Sequence, residues 1–179
     1  NMMFLTAGTF LKKIDWKKAL MILLYCTFFN LIGALIAGWL FANSAAYAGL
    51  SKESFIAGVV QMKLARSNEL ILLEGILANV FVNIAILSFV LVKDSTAKLF
   101  LVISAIYMFV FLTNEHLAAN FASFAIVKFS SAASEVANFG IGNILRHWAV
   151  TFVGNLIGGG LLIGLPYAWF NKKEEHYVD

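Results

Sequence analysis

Long apolar runs separated by short charged turns organise the chain. The first full run covers 19–43, behind a turn carrying Lys12, Lys13, Asp15, Lys17 and Lys18, with Trp16 and Trp39 as interface anchors. A polar stretch, 44–68, follows with the small residues Ser44, Ala45, Ala46 and Gly49 and the cations Lys63 and Arg66. The second run, 70–92, ends at Lys93 and Asp94, and the last, 147–170, closes on the tail 171–179. Pro166 falls near the end of that last run, where it does little harm. A helix needs about 20 residues to cross a hydrocarbon core of roughly 30 Å, so these runs predict membrane spans. The opening segment, 2–11, is too short to span alone and reads as the last half of an earlier helix, and the start at Asn1 reads as a missing N-terminal part.

The pattern between Lys98 and Lys128 is different, because an apolar stretch is interrupted by Thr113-Asn114-Glu115-His116. At about 1.5 Å per residue, segments 99–112 and 117–127 each reach only about 15 to 21 Å. Neither half spans, so the reading is one crossing over 99–127 broken at 113–116. A carboxylate at that depth costs about 2.5 to 3.5 kcal/mol even on the lenient insertion scale. Broken backbone there must line a cavity or be buried in protein, and its freed amide and carbonyl groups need partners. Asn114, Glu115 and Asn120 are the candidates to supply them, which leaves His116 as the side chain that meets a solute.

Two stretches echo each other. Asn30-Leu31-Ile32-Gly33-Ala34-Leu35-Ile36-Ala37-Gly38 in the first span resembles Asn155-Leu156-Ile157-Gly158-Gly159-Gly160-Leu161-Leu162 in the last. Eight basic residues, Lys12, Lys13, Lys17, Lys18, Lys93, Lys98, Lys172 and Lys173, fall on one side of the membrane. Five, Lys52, Lys63, Arg66, Lys128 and Arg146, fall on the other, so the first side and the C-terminus are cytoplasmic. The two copies then run antiparallel, which is the plan of an inverted repeat. Small residues such as Gly33, Gly38, Gly158 and Gly160 also let helices approach closely.

Composition agrees with a bilayer as solvent: 61% hydrophobic residues, 13% charged and a single proline. The net charge of +3 is spread between apolar runs, which gives nucleic-acid binding no support. The lone Cys26 offers no disulfide, and His147 at a helix end and His176 in the tail make no metal-ligand spacing. No haem-ligand pair or other cofactor signature occurs, and no nucleophile, base and orienting group fall together, so an enzyme is not expected. Lys63 and Arg66 read either as part of a solvated loop or as a cationic vestibule that concentrates anions. Phe109 and Val82 are indistinguishable from packing residues on pattern alone.

The run Asn114-Glu115-His116-Leu117-Ala118-Ala119-Asn120 resembles the formate/nitrite transporter family, whose broken fifth helix carries a Glu-His-x-x-x-Asn signature. Met2-Met3-Phe4-Leu5-Thr6 is similar to the second half of that family's helix two, Gly75-Ile76-Leu77-Ala78-Asn79 to its fourth-helix motif, and Gly154-Asn155-Leu156-Ile157-Gly158-Gly159-Gly160 to its sixth-helix motif. The resemblance implies an all-α, aquaporin-like six-helix protomer with an inverted repeat and broken helices two and five, here one channel domain lacking its N-terminal part. It further implies a homopentamer in the cell membrane, expected to be a bacterial cytoplasmic membrane, that moves small monovalent anions and protons. By resemblance His116 is the central pore histidine, Lys63 the vestibule lysine, and Phe109 and Val82 the hydrophobic constriction. Glu115, Asn79, Asn120 and Asn155, with Asn114, would hold the broken helices and their loops. Formate or nitrite is the expected solute, with hydrosulfide or lactate, or a neutral solute in an aquaporin-like pore, as alternatives.

Overall fold

The computed structural model describes residues 2–47 and 49–173; His176 lies outside the described residues. The described residues contain helices and no strand. In chain order the helices are α1 (Met2–Phe10), α2 (Trp16–Ala42), α3 (Phe55–Ala65), α4 (Asn68–Leu91), α5 (Ser95–Phe111), α6 (Leu117–Lys128) and α7 (Ile141–Leu156). A wide-turn π segment, Ile157–Gly164, then leads without interruption into α8 (Leu165–Phe170). Among the described residues three helices are long and apolar enough to cross a membrane: α2, α4 and the continuous stretch Ile141–Phe170.

Polar residues at the turns start these helices. The Asp15 carboxylate accepts from Lys17 N at 3.1 Å, the Ser67 hydroxyl from Leu70 N at 3.3 Å, and Asp94 from Ala97 N at 2.7 Å, satisfying amides that have no intrahelical acceptor. Inside the apolar helices, hydroxyls fold back on the preceding turn, as Thr9 does to Leu5 O and Thr27 to Leu23 O, both at 2.8 Å. The outer faces are apolar throughout, with Phe29 on α2 64% exposed and Phe100 on α5 72% exposed. Such a surface is incompatible with water and suits hydrocarbon or a neighbouring subunit. The protein is therefore a multi-pass membrane protein.

Glycines set the packing inside. A Cβ on Gly154 of α7 would come within 2.6 Å of Leu72 O and 3.0 Å of the Gly75 Cα on α4, so these two backbones touch. Gly38 of α2 lies as close to Ala125 of α6, and Gly160 and Gly164 meet Thr6 and Met3 of α1. The long helices thus exchange partners: α2 packs on α6, and the π segment with α8 packs on α1. That crossed arrangement is what the echoed sequences in α2 and α7 anticipate for an inverted repeat.

Two features depart from expectation. The stretch 44–68 is not a loop, because it contains α3, whose Ala57, Val60 and Leu64 pack with Phe124, Val127 and Ile144 in a core that closes one end of the bundle. The last helix begins at Ile141, ahead of His147, so His147 lies one and a half turns inside it rather than at its end.

Candidate functional site

The broken crossing is built from α5 and α6. After Leu112 the chain turns through Thr113, whose φ of +53° lies in the left-handed region that a β-branched residue seldom enters. It then runs through Asn114 and Glu115 to His116, which has extended backbone at the N-terminus of α6. Strain of this kind costs on the order of 1 to 3 kcal/mol and persists only where the surroundings enforce it. Here two cations enforce it. Lys63 Nζ donates to Thr113 O at 3.0 Å and to Asn114 O at 3.3 Å. Arg66 reaches Thr113 O at 3.1 Å through Nη1 and Thr113 Oγ1 at 2.9 Å through Nη2.

Both cations also hold Glu115, which is fully buried. Its Oε2 accepts from Lys63 Nζ at 2.8 Å and from Asn120 Nδ2 at 2.7 Å, while Oε1 pairs with Arg66 Nη1. Arg66 bridges onward to Glu74 on α4 at 2.5 Å. Lys63 is only 5% exposed, so it is not part of a solvated loop. Burying ions is expensive, and Lys63, Arg66 and Glu115 meet the expense with several short contacts each.

Asn155, on α7, ties the break to the rest of the bundle. Its Oδ1 accepts from Leu117 N at 3.0 Å, and its Nδ2 donates to Glu115 O at 2.7 Å and to Gly75 O at 2.9 Å. Four freed groups of the break, the carbonyls of Thr113, Asn114 and Glu115 and the Leu117 amide, are thus satisfied by Asn155, Lys63 and Arg66. The side chains of Asn114, Glu115 and Asn120 do not serve them as expected: Asn120 secures the Glu115 carboxylate, and Asn114 Nδ2 is buried with no partner. Asn79 stands one turn from Asn83, whose amide donates to Asn79 O at 2.7 Å.

On the other side of the break a cavity of about 340 Å³ opens against His116, Leu117, Ala118, Asn79, Asn155 and Asn30, among others. It brings together His116, Asn79 and Asn155 of the expected set, but not Lys63, Phe109 or Val82. Phe109 is buried and its ring lies 5.8 Å from that of His116, while Val82 is half-buried on α4. His116 makes no side-chain capping bond, which leaves its imidazole available to the cavity.

His147 is a member of the site that the sequence reading placed elsewhere. It is fully buried, with Nε2 3.3 Å from Glu115 Oε2. With Thr151 and Asn155 it forms a buried polar line at every fourth residue along α7, a spacing that could have been read as one helix face. No cluster of metal-ligating side chains occurs among the described residues.

Comparison with known proteins agrees with this geometry. The model of the formate/nitrite transporter family matches residues 1–169. The uncharacterized transporter YrhG of Bacillus subtilis (strain 168) is 32% identical over 97% of this chain and 64% of its own length. Among solved structures, an FNT family ion channel superposes with a TM-score of 0.81 at 24% identity, over 94% of this chain and 66% of that one. A pentameric formate channel with formate bound does so with a TM-score of 0.69 at 21% identity, over 90% of this chain and 69% of that one. The chain spans about two thirds of the length of the relatives it matches.

Proposed function

The chain belongs to the formate/nitrite transporter family, and from that premise we propose that it carries small monovalent anions, formate or nitrite, across the membrane past His116, together with protons. The observation that supports this most is the two-sided break: an imidazole free on the cavity side, and a buried Lys63–Glu115–Arg66 cluster immediately behind it. A channel for neutral solutes needs neither. The start of α6, whose Leu117 and Ala118 line the cavity, adds the positive end of a helix dipole there.

A small anion loses much hydration free energy in a narrow apolar passage, and a fixed unpaired charge there would trap it. Protonation removes the conflict. The anion enters the cavity, becomes more basic as it leaves water, and takes a proton from His116 or from water, so that a neutral acid passes Phe109 and Val82. Lys63, tied to Glu115, acts from behind the break rather than from an open mouth.

The protomer is read as one of five, each with its own pore, by likeness to the pentameric formate channel. The apolar faces of α2 and α5 are available for subunit and lipid contact. Withdrawing Lys63 and Arg66 from the loop count sharpens the charge asymmetry and favours a cytoplasmic C-terminus, in a bacterial cytoplasmic membrane. The test is uptake into proteoliposomes by the full-length protein and its His116→Asn variant, with formate, nitrite, hydrosulfide and lactate in parallel. Proton-coupled uptake of formate or nitrite should fall at least tenfold in the variant. Wild-type uptake by the variant would remove His116 from the mechanism.

A further inference from the structure

His116 occupies the cavity side of the break, and His147 lies on the side away from it, where the carboxylate of Glu115 is buried. The carboxylate does not need His147 for its own satisfaction. Oε1 is taken by Arg66, and Oε2 already accepts from Lys63 and Asn120. Nor is the imidazole well served by its surroundings. Its ring lies against that of Phe124 at 5.3 Å, and neither ring nitrogen has a hydrogen-bond partner of good geometry. A buried polar ring without partners is destabilising, and an apolar side chain would fill the site at lower cost. What an imidazole brings that such a side chain does not is a ring nitrogen able to take up a proton 3.3 Å from the Glu115 carboxylate.

The charged groups around it give that change a direction. Lys63 and Arg66 approach from α3 and its end, Glu74 from α4 and Glu115 from the break, while α6 offers only the uncharged Asn120 and Phe124. On α7 itself Arg146 turns its guanidinium onto Leu64 O, Arg66 O and Asn68. With His147 neutral, two cations face two carboxylates. A proton on His147 turns this balanced cluster positive, one residue from His116.

We propose that His147 is a proton-responsive positioning residue for anion passage: its charge, held against Glu115, makes the back of the break attractive to an anion arriving at His116. The anion clause rests on the function proposed above; the coupling of His147 to Glu115 does not.

Two measurements on the full-length protein test it. In proteoliposomes, formate flux is compared at about pH 5.5 and about pH 7.5 for wild type, His147→Asn and His147→Gln, which keep an amide near Glu115 but cannot titrate. The acid-to-neutral ratio should fall about tenfold in both variants, the order expected for one unit charge acting through protein interior. An unchanged ratio overturns the proposal. The second measurement is an infrared titration of protein with isotope-labelled histidine rings, which needs no substrate. An imidazole protonation accompanied by a shift of a buried carboxylate band, present in wild type and in His116→Asn and absent in His147→Gln, is the expected result. If the variants fail to fold, the wild-type titration decides, and a carboxylate band that stays fixed through every imidazole titration overturns the coupling. A wild-type protein with the band shift but no anion flux rejects the transport reading and the anion clause, whereas normal flux with no band shift rejects the His147 proposal alone.

Discussion

Replacing Asn155 by alanine removes in one step the three hydrogen bonds that tie the break to α4 and α7. Leu117 N loses its acceptor, and Glu115 O and Gly75 O lose a donor. Gly75 O sits inside α4 and keeps its helical partner, so the cost falls on the Leu117 N–H and the Glu115 C=O. A buried backbone group without a partner costs about 1 to 3 kcal/mol, and water entering from the cavity that Asn155 lines draws the figure down. Together the two groups give about 2 to 4 kcal/mol of local stability lost. At about 1.4 kcal/mol per factor of ten, the Leu117 amide should exchange with solvent roughly 30- to 700-fold faster. Hydrogen exchange on nanodisc-embedded protein measures this at the start of α6, with the interior of α4 as the internal control. Asn155→Asp, which keeps an acceptor for Leu117 N, should accelerate that amide less than alanine does. If exchange at Leu117 in Asn155→Ala stayed within about threefold of wild type, Asn155 would not be what holds the break.

Further outcomes follow from the same geometry. Gly154→Ala, whose Cβ would press on Leu72 O, should cost about 1 to 3 kcal/mol, whereas Gly33→Ala, which meets nothing within 4 Å, should be neutral or stabilising by up to about 1 kcal/mol; unfolding midpoints in mixed micelles compare them. Thr113→Val keeps the left-handed strain and loses the bond from Arg66, so it should be less stable than Thr113→Gly, which loses the bond but relaxes the strain. Glu115→Gln leaves Lys63 and Arg66 with Glu74 as their remaining carboxylate and should cost about 3 to 5 kcal/mol. Adding Lys63→Met should recover part of that loss in a double-mutant cycle.

The spans and the break were legible because hydrophobic length is a local property. Two half-length apolar runs around Thr113-Asn114-Glu115-His116 could form only an interrupted crossing. The helix α3 was not legible, because its 11 residues are too few to span a membrane and lie between the polar residues of 51–54 and 66–69, inside a stretch read whole as polar. Nothing near Lys63 in sequence announces its burial, since its carboxylate partner is Glu115, far along the chain. His147 was hidden for a similar reason: it opens the run 147–170 and reads as a helix end, and only its alignment with Thr151 and Asn155 betrays a buried face. The resemblance named Lys63 as a pore residue without revealing that Arg66, Glu74 and His147 share its site.

The exchange of partners between the two halves bears on how the chain is made. The α1 face that receives Gly160 and Gly164 is synthesised well before those glycines. Until they arrive, Met3 and Thr6 border a seam with no helix to fill it, and the nascent chain must wait in the bilayer with its first half unfinished. The segment that carries Gly160 and Gly164 therefore acts as a keystone, and a chain cut short before Ile157 should be cleared by membrane quality control rather than assemble.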